Sequence, residues 1–228
     1  MTSGQPVQIL YEDNHLLAVA KPPGLITQGA AAGEPSVVEW ARQSIKERYQ
    51  KPGNVYVGVV SRLDAAASGV VLLARTSRAA ARLAEQFRER SVQKTYWALV
   101  AGTPPDAGEC ESWLLEDDAQ RQVRFVGPGA PGGKLARLRF RRLGGQGGVA
   151  WLEVDLETGR KHQIRVQLAE RGWPILGDPK YGARQTFPQG IALHARRLVV
   201  DHPTRHEPLE LSAPPPPAWR KWIGAGNL

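Results

Sequence analysis

The sequence predicts one α+β domain built on a large mixed β-sheet flanked by helices and loops, and three observations carry that expectation. Strand-like apolar runs begin by residue 7 and continue to about residue 211, with no linker composition between them. Two stretches, Val37 to Tyr49 and Ser77 to Arg90, carry apolar residues at helical spacing. Glycine and proline clusters punctuate the rest at intervals suited to strands and turns. With 228 residues, 42 % of them apolar, the chain can bury a substantial core.

Taken in order, Val7 to Leu10 and His15 to Ala20 read as short strands joined by the polar turn Tyr11-Glu12-Asp13-Asn14. Lys21-Pro22-Pro23-Gly24 stops regular structure. Ser36 with Glu39 forms a capping box ahead of the first helix, and Lys51-Pro52-Gly53 ends it. Val55 to Val60 and Gly69 to Ala74 are β-rich, with the loop Ser61 to Ser68 between them. Ser77 is placed to cap the second helix, whose apolar face is Ala80, Leu83, Ala84 and Phe87. Lys94 to Val100 alternates as a strand and sets Tyr96 on one face with Lys94 and Ala98. The middle, Gly102 to Gly148, reads as the least regular part: an acidic cluster from Glu109 to Asp118, then Arg121, Arg124, Lys134, Arg137, Arg139, Arg141 and Arg142, with a hairpin loop over Gly127 to Gly133. Val149 to Leu156 is a strand, Gly159 to Arg171 a helix with Gly172 as its cap, Leu193 to Val200 a late strand, and Pro214 to Pro217 an extended close.

Composition narrows the function. The formal charge of +8 and pI near 9.9 favour polyanionic partners, because each cation placed on a phosphate releases a counterion. The single cysteine, Cys110, excludes an internal disulfide and a cysteine metal cage. His162, His194, His202 and His206 lack metal-ligand spacing, so neither a metal nor another cofactor is expected. There is no run of 18 apolar residues and no signal pattern at the N-terminus, so a cytoplasmic protein without a membrane span is expected.

Two polar segments stand out in apolar surroundings. The loop Ser61 to Ser68 holds Arg62 and Asp64 between two strands, a position from which loops commonly carry function. The segment Glu157 to Gln167 places Arg160 and Lys161 at a helix start, where backbone N–H groups favour a phosphate. Ile164 and Leu168 share the core face of that helix. Alone, each segment also reads as an ordinary turn or a solvated basic helix, and the alternating arginines at 137, 139 and 141 as a solvated strand face.

Together the motifs resemble the RluA class of pseudouridine synthases, which modify ribosomal and transfer RNA. Ser61-Arg62-Leu63-Asp64-Ala65-Ala66-Ala67-Ser68-Gly69 is similar to the class signature His-Arg-Leu-Asp-x-x-Thr-Ser-Gly. Lys94-Thr95-Tyr96-Trp97-Ala98-Leu99-Val100 and Thr158-Gly159-Arg160-Lys161-His162-Gln163-Ile164-Arg165 match two further motifs. Gly177-Asp178-Pro179-Lys180-Tyr181-Gly182, Leu193-His194-Ala195, Ile9 to Asp13 and Lys21-Pro22-Pro23-Gly24 follow suit, so the resemblance spans roughly residues 7 to 214. Ser61, Ala67 and Gln167 depart from a usual His, Thr and His, which is expected to alter loop support or RNA contact.

The resemblance implies a single catalytic domain over residues 1–228, with a mainly antiparallel sheet and no separate N-terminal RNA-binding module. It implies an isomerase acting as a monomer on structured RNA, in which the bond from uracil N1 to ribose C1′ is broken and the base is rejoined through C5, without a cofactor. It assigns the catalytic carboxylate to Asp64, with Arg165 beside it and Tyr96 against the base. RNA contact is expected from Arg62, Arg160, Lys161, Arg137 and Arg139, and from Ile164 as an apolar wall of the pocket. A catalytically silent RNA-binding or ribosome-assembly protein would share the charge and most motifs but would need no Asp64. The joint retention of Asp64, Tyr96 and Arg165 favours the enzyme. A nucleotide hydrolase is disfavoured, because no Walker-type loop occurs.

Overall fold

The computed structural model describes residues 6–29, 35–117, 119–120 and 122–224. Arg121 and Asp118 therefore lie outside the described residues. Among the described residues, eleven strands and four α-helices fall into two compact units. The first runs to Val92 and regains the chain over Ala195–Pro214; the second comprises Gln93–His194 and the chain from Pro215.

In the first unit, β1 (Gln8–Glu12) and β2 (Leu16–Lys21) form an antiparallel pair. Asp13 builds the turn between them by accepting the His15 and Leu16 backbone N–H groups at 2.8 and 2.7 Å. It also binds buried His202 at 2.7 Å. Burial alone would raise its pKa, but these hydrogen bonds hold the carboxyl down at about 2. Helix α1 (Val37–Arg48) starts where the capping box predicts, with the Ser36 side chain accepting the Glu39 N–H. Strand β3 is only Gly58–Val59, shorter than the β-rich run Val55 to Val60 suggests. Strand β4 (Ser68–Ala74) is buried throughout. Helix α2 (Ser77–Glu89) is capped by Thr76, one residue before the expected Ser77, because the Thr76 hydroxyl reaches the Ala79 N–H.

In the second unit, β5 (Gln93–Ala101) precedes the stretch expected to be least regular. That stretch instead forms three strands, β6 (Ala107–Asp117), β7 (Gln122–Val126) and β8 (Lys134–Gln146). The expected hairpin loop over Gly127 to Gly133 joins β7 to β8, but both strands pair with β6, so it is no hairpin. The tight hairpin lies between β8 and β9 (Val149–Leu156), where Gly147 and Gly148 both take positive φ, as a two-residue turn requires. Helix α3 is Gln163–Glu170 and begins later than Gly159, since His162 adopts a left-handed conformation that α-helix cannot include. The strand order of this unit is β5-β9-β8-β6-β7.

Strand β10 (Leu193–Asp201) starts in the second unit and continues in the first, where β11 (Pro208–Ser212) pairs with it. The first unit's order is β1-β2-β4-β10, with β3 also on β4. Beyond the expected extended prolines the chain closes with the short helix α4 (Arg220–Ile223). Four of the pairings in each unit are antiparallel, in agreement with the α+β class and its mainly antiparallel sheet. The first core packs Leu16, Ala18, Val70, Leu72 and Leu83 with Leu198, Val200 and Leu211. The second holds Leu114, Val123, Ala136 and Val166.

Candidate active site

In the first unit, Asp64 sits half-buried on the loop entering β4, and Arg62 is exposed beside it. Residues on both sides of Asp64 are held from the Lys21–Thr27 segment. The Thr27 hydroxyl donates to the Leu63 carbonyl at 3.0 Å and accepts from the Leu63 N–H at 3.1 Å. The Ala65 carbonyl accepts the Gly24 N–H at 2.8 Å and the Lys21 ammonium at 3.0 Å. Lys21 is 1 % exposed and also donates to the Pro22 and Leu25 carbonyls. Burial lowers its pKa from 10.5 to about 7, against the opposing charge of Asp64. Gly69, at the end of the loop, has φ +118°, and a Cβ there would stand 2.3 Å from the Ala195 carbonyl oxygen. Only glycine lets β10 pass so closely.

In the second unit, Tyr96 lies on β5 opposite Val154 of β9 and is half-buried. Arg165, on α3, is buried, and it donates from Nε and Nη2 to the two carboxylate oxygens of Asp178 at 2.7 and 2.8 Å. Its guanidinium also stands 5.0 Å from the centre of the Tyr181 ring. The sequence shows Asp178 as part of the Gly177-Asp178-Pro179 motif but does not reveal it as the partner of Arg165.

The helix start offered for a phosphate is engaged within its own unit. Oε1 of Gln163 accepts the Arg160 N–H and the Thr158 hydroxyl, Arg160 donates through Nε to the Leu135 carbonyl, and Lys161 lies 3.6 Å from Glu116. Ile164 is 4 % exposed, consistent with its core-facing position in the helical pattern. Gln167, which departs from the usual His, is fully buried and donates to Ser112 and the Cys110 and Ala136 carbonyls.

The alternating arginines of β8 form an exposed, charge-paired face. Arg137 pairs with Glu111, Arg139 with Glu109 and Glu157, and Arg141 with Glu153. Glu111 stands directly opposite Arg137, and Glu109 opposite Arg139, in the β6–β8 register. Such exposed pairs contribute about 0–1 kcal/mol each. They must open before a phosphate can take the acid's place.

Comparison with known proteins bears on the reaction. The model of the RNA pseudouridylate synthase family matches residues 15–170. A ribosomal large subunit pseudouridine synthase D of Xanthomonas campestris is 35 % identical over 96 % of this chain and 69 % of its own length. A ribosomal large subunit pseudouridine synthase C of Vibrio cholerae is 36 % identical over 90 % of this chain and 65 % of its own. The solved structure of human RNA pseudouridylate synthase domain containing 4 superposes with a TM-score of 0.78 at 26 % identity, over 94 % of this chain and 92 % of that one. The match covers more than half of the chain, and the chain belongs to the RNA pseudouridylate synthase family.

Proposed function

We propose that this pseudouridine synthase isomerises specific uridines in structured ribosomal or transfer RNA, as a single catalytic domain, with Asp64 as the catalytic carboxylate. The observation that supports Asp64 most is its seat: a half-buried carboxylate on a loop whose neighbouring peptides are fixed by Thr27, Gly24 and Lys21. A group that must meet one sugar carbon benefits from such pre-organisation. The names of the synthase C and D relatives favour ribosomal RNA as the first substrate to try.

In the proposed reaction the target uridine leaves its stack, as chemistry on a base within structured nucleic acid requires. The Asp64 carboxylate then either attacks C1′ as the N1–C1′ bond breaks, or removes a ribose proton to give a glycal. The freed uracil turns over and C5 joins C1′, which expels Asp64 from C1′ on the first route or follows return of the ribose proton on the second; C5 then loses its proton and N1 takes one up. Tyr96 stacks on the uracil or assists the loss of that proton. Arg165, oriented by Asp178, supplies positive charge to the site, and Ile164 forms an apolar wall. Arg62 supports the displaced nucleotide, while Arg160, Lys161, Arg137 and Arg139 contact RNA phosphates. No step needs a redox partner or an energy source, since substrate and product are isomers.

The test is a pseudouridine map of total cellular RNA with and without the gene, followed by reaction of the purified chain with RNA from the deficient cells. Sites that vanish in those cells and return on incubation support the reading. Identical maps and no product would favour a silent RNA-binding protein.

A further inference from the structure

We propose that Thr27 is a positioning residue for Asp64. The inference rests on the reading of Asp64 as the catalytic carboxylate. Thr27 is 3 % exposed and lies 36 residues from Leu63 in sequence. Its single hydroxyl binds both backbone groups of Leu63, donating to the carbonyl at 3.0 Å and accepting from the N–H at 3.1 Å. The Leu63 N–H belongs to the peptide before that residue, and its carbonyl to the peptide shared with Asp64. One atom therefore holds both peptide planes that flank Leu63, which sets the direction in which the chain enters Asp64. Only a short side chain that both donates and accepts through one atom can do this, which leaves serine or threonine.

Thr27 is itself fixed. Its carbonyl accepts the Val38 N–H at 3.2 Å, and the Ile26 carbonyl accepts the Val37 N–H at 2.9 Å. The clamp is thus seated on the first turn of α1, where Ser36 caps the helix. On the far side of Asp64, Gly24 and Lys21 hold the Ala65 carbonyl from the same segment. The Leu63 side chain, 8 % exposed, anchors the loop in the core. Asp64 stands between two fixed peptides, and Thr27 supplies one of them entirely through its side chain.

The hydroxyl also satisfies two polar backbone groups, and a role confined to folding would predict a different result. Thr27→Val preserves shape and removes both hydrogen bonds; Thr27→Ser preserves them. Each variant, wild type and Asp64→Asn are assayed for pseudouridine formation under single-turnover conditions with saturating RNA, well below every melting point. Amide exchange of the segment around Leu63 and RNA affinity are measured in parallel. Thr27→Val is expected to lose roughly ten- to a hundredfold in rate, the scale set by small misplacements of a reacting group. Its RNA affinity is expected to stay unchanged, exchange at Leu63 and Asp64 to accelerate, and Thr27→Ser to restore both readouts. A wild-type rate in Thr27→Val, with only a lower melting point, overturns the proposal. Where Thr27→Val does not fold, Thr27→Ala takes its place, and a wild-type rate in it overturns the proposal; a Thr27→Ser rate that falls although its exchange is normal overturns it too. Asp64→Asn separates the failures. A wild-type rate there removes the catalytic reading and the proposal with it; a lost rate there, beside a normal Thr27→Val, removes the proposal alone.

Discussion

Replacing Arg165 with methionine removes one half of a buried ion pair and leaves the other half in place. Asp178 is 1 % exposed and receives two short N–H donations from Arg165, whose own side chain is 8 % exposed. The variant would leave a carboxylate without those donors in a site that water barely reaches. Breaking a buried pair in this way typically destabilises by about 3–5 kcal/mol. The guanidinium over the Tyr181 ring adds a smaller loss that is not independent of the first. For a chain of this size each kcal/mol lowers the melting temperature by about 2–4 °C, so Arg165→Met should melt roughly 6–20 °C below wild type. Arg165→Lys should fall between them, since an ammonium keeps the charge and loses the two-pronged geometry. The double variant Arg165→Met/Asp178→Leu should recover much of the loss, because no charge is then stranded. Thermal unfolding followed by circular dichroism, across the four proteins, measures this. Equal melting temperatures in wild type and Arg165→Met would refute the argument that the pair supports the second unit.

Other outcomes follow from the same geometry. Tyr96→Phe keeps the ring and removes the hydroxyl, so RNA should bind normally while final product falls; full activity would confine Tyr96 to stacking. Lys21 has a folded pKa lowered from 10.5 to about 7, so above pH 7 the folded state sheds its proton before the unfolded state does. Its burial penalty is therefore present below about pH 7 and relieved as pH rises toward 10.5, by roughly 1.4 kcal/mol per unit. Urea midpoints at several pH values should show wild type gaining on Lys21→Met over that window, and parallel curves would mean that Lys21 titrates normally. Arg137→Ala with Arg139→Ala should flatten the salt dependence of RNA affinity by about 0.7–0.9 in log–log slope for each phosphate that those arginines neutralise, without slowing the saturated reaction. An unchanged slope would assign those two arginines to a plain solvated face. Arg62→Ala should slow the saturated reaction, and a full rate there would reject its role in supporting the flipped nucleotide.

Features set by near neighbours are legible in the sequence, and those set by distant ones are hidden. The capping box at Ser36 and Glu39 is legible because both partners lie within one helical turn, and the structure starts α1 there. The left-handed His162 that shortens α3 leaves no comparable signal, since a histidine carries no strong preference for that conformation. The acidic cluster and the basic stretch read as two separate features, yet the β6–β8 register makes them one ladder in which Glu111 faces Arg137 and Glu109 faces Arg139. That register depends on strand order, and without it Gly127 to Gly133 has the look of a hairpin loop. The Asp64 loop itself is legible as a polar interval between strands. Its supports are not, because the Lys21 and Thr27 side chains arrive from 44 and 36 residues away. The Arg165–Asp178 pair is hidden in the same way: each member sits in its own motif, and only folding joins them.

The proposed role of Asp64 is to perform the chemistry, with little part in folding or affinity. It is tested most directly by Asp64→Asn, which keeps the side chain's size and removes its charge. Pseudouridine is measured in a single turnover with saturating RNA from cells lacking the gene, alongside RNA affinity and melting temperature. No product above background is expected, with affinity and melting temperature close to those of wild type. Product at the wild-type rate in the Asn variant would contradict it.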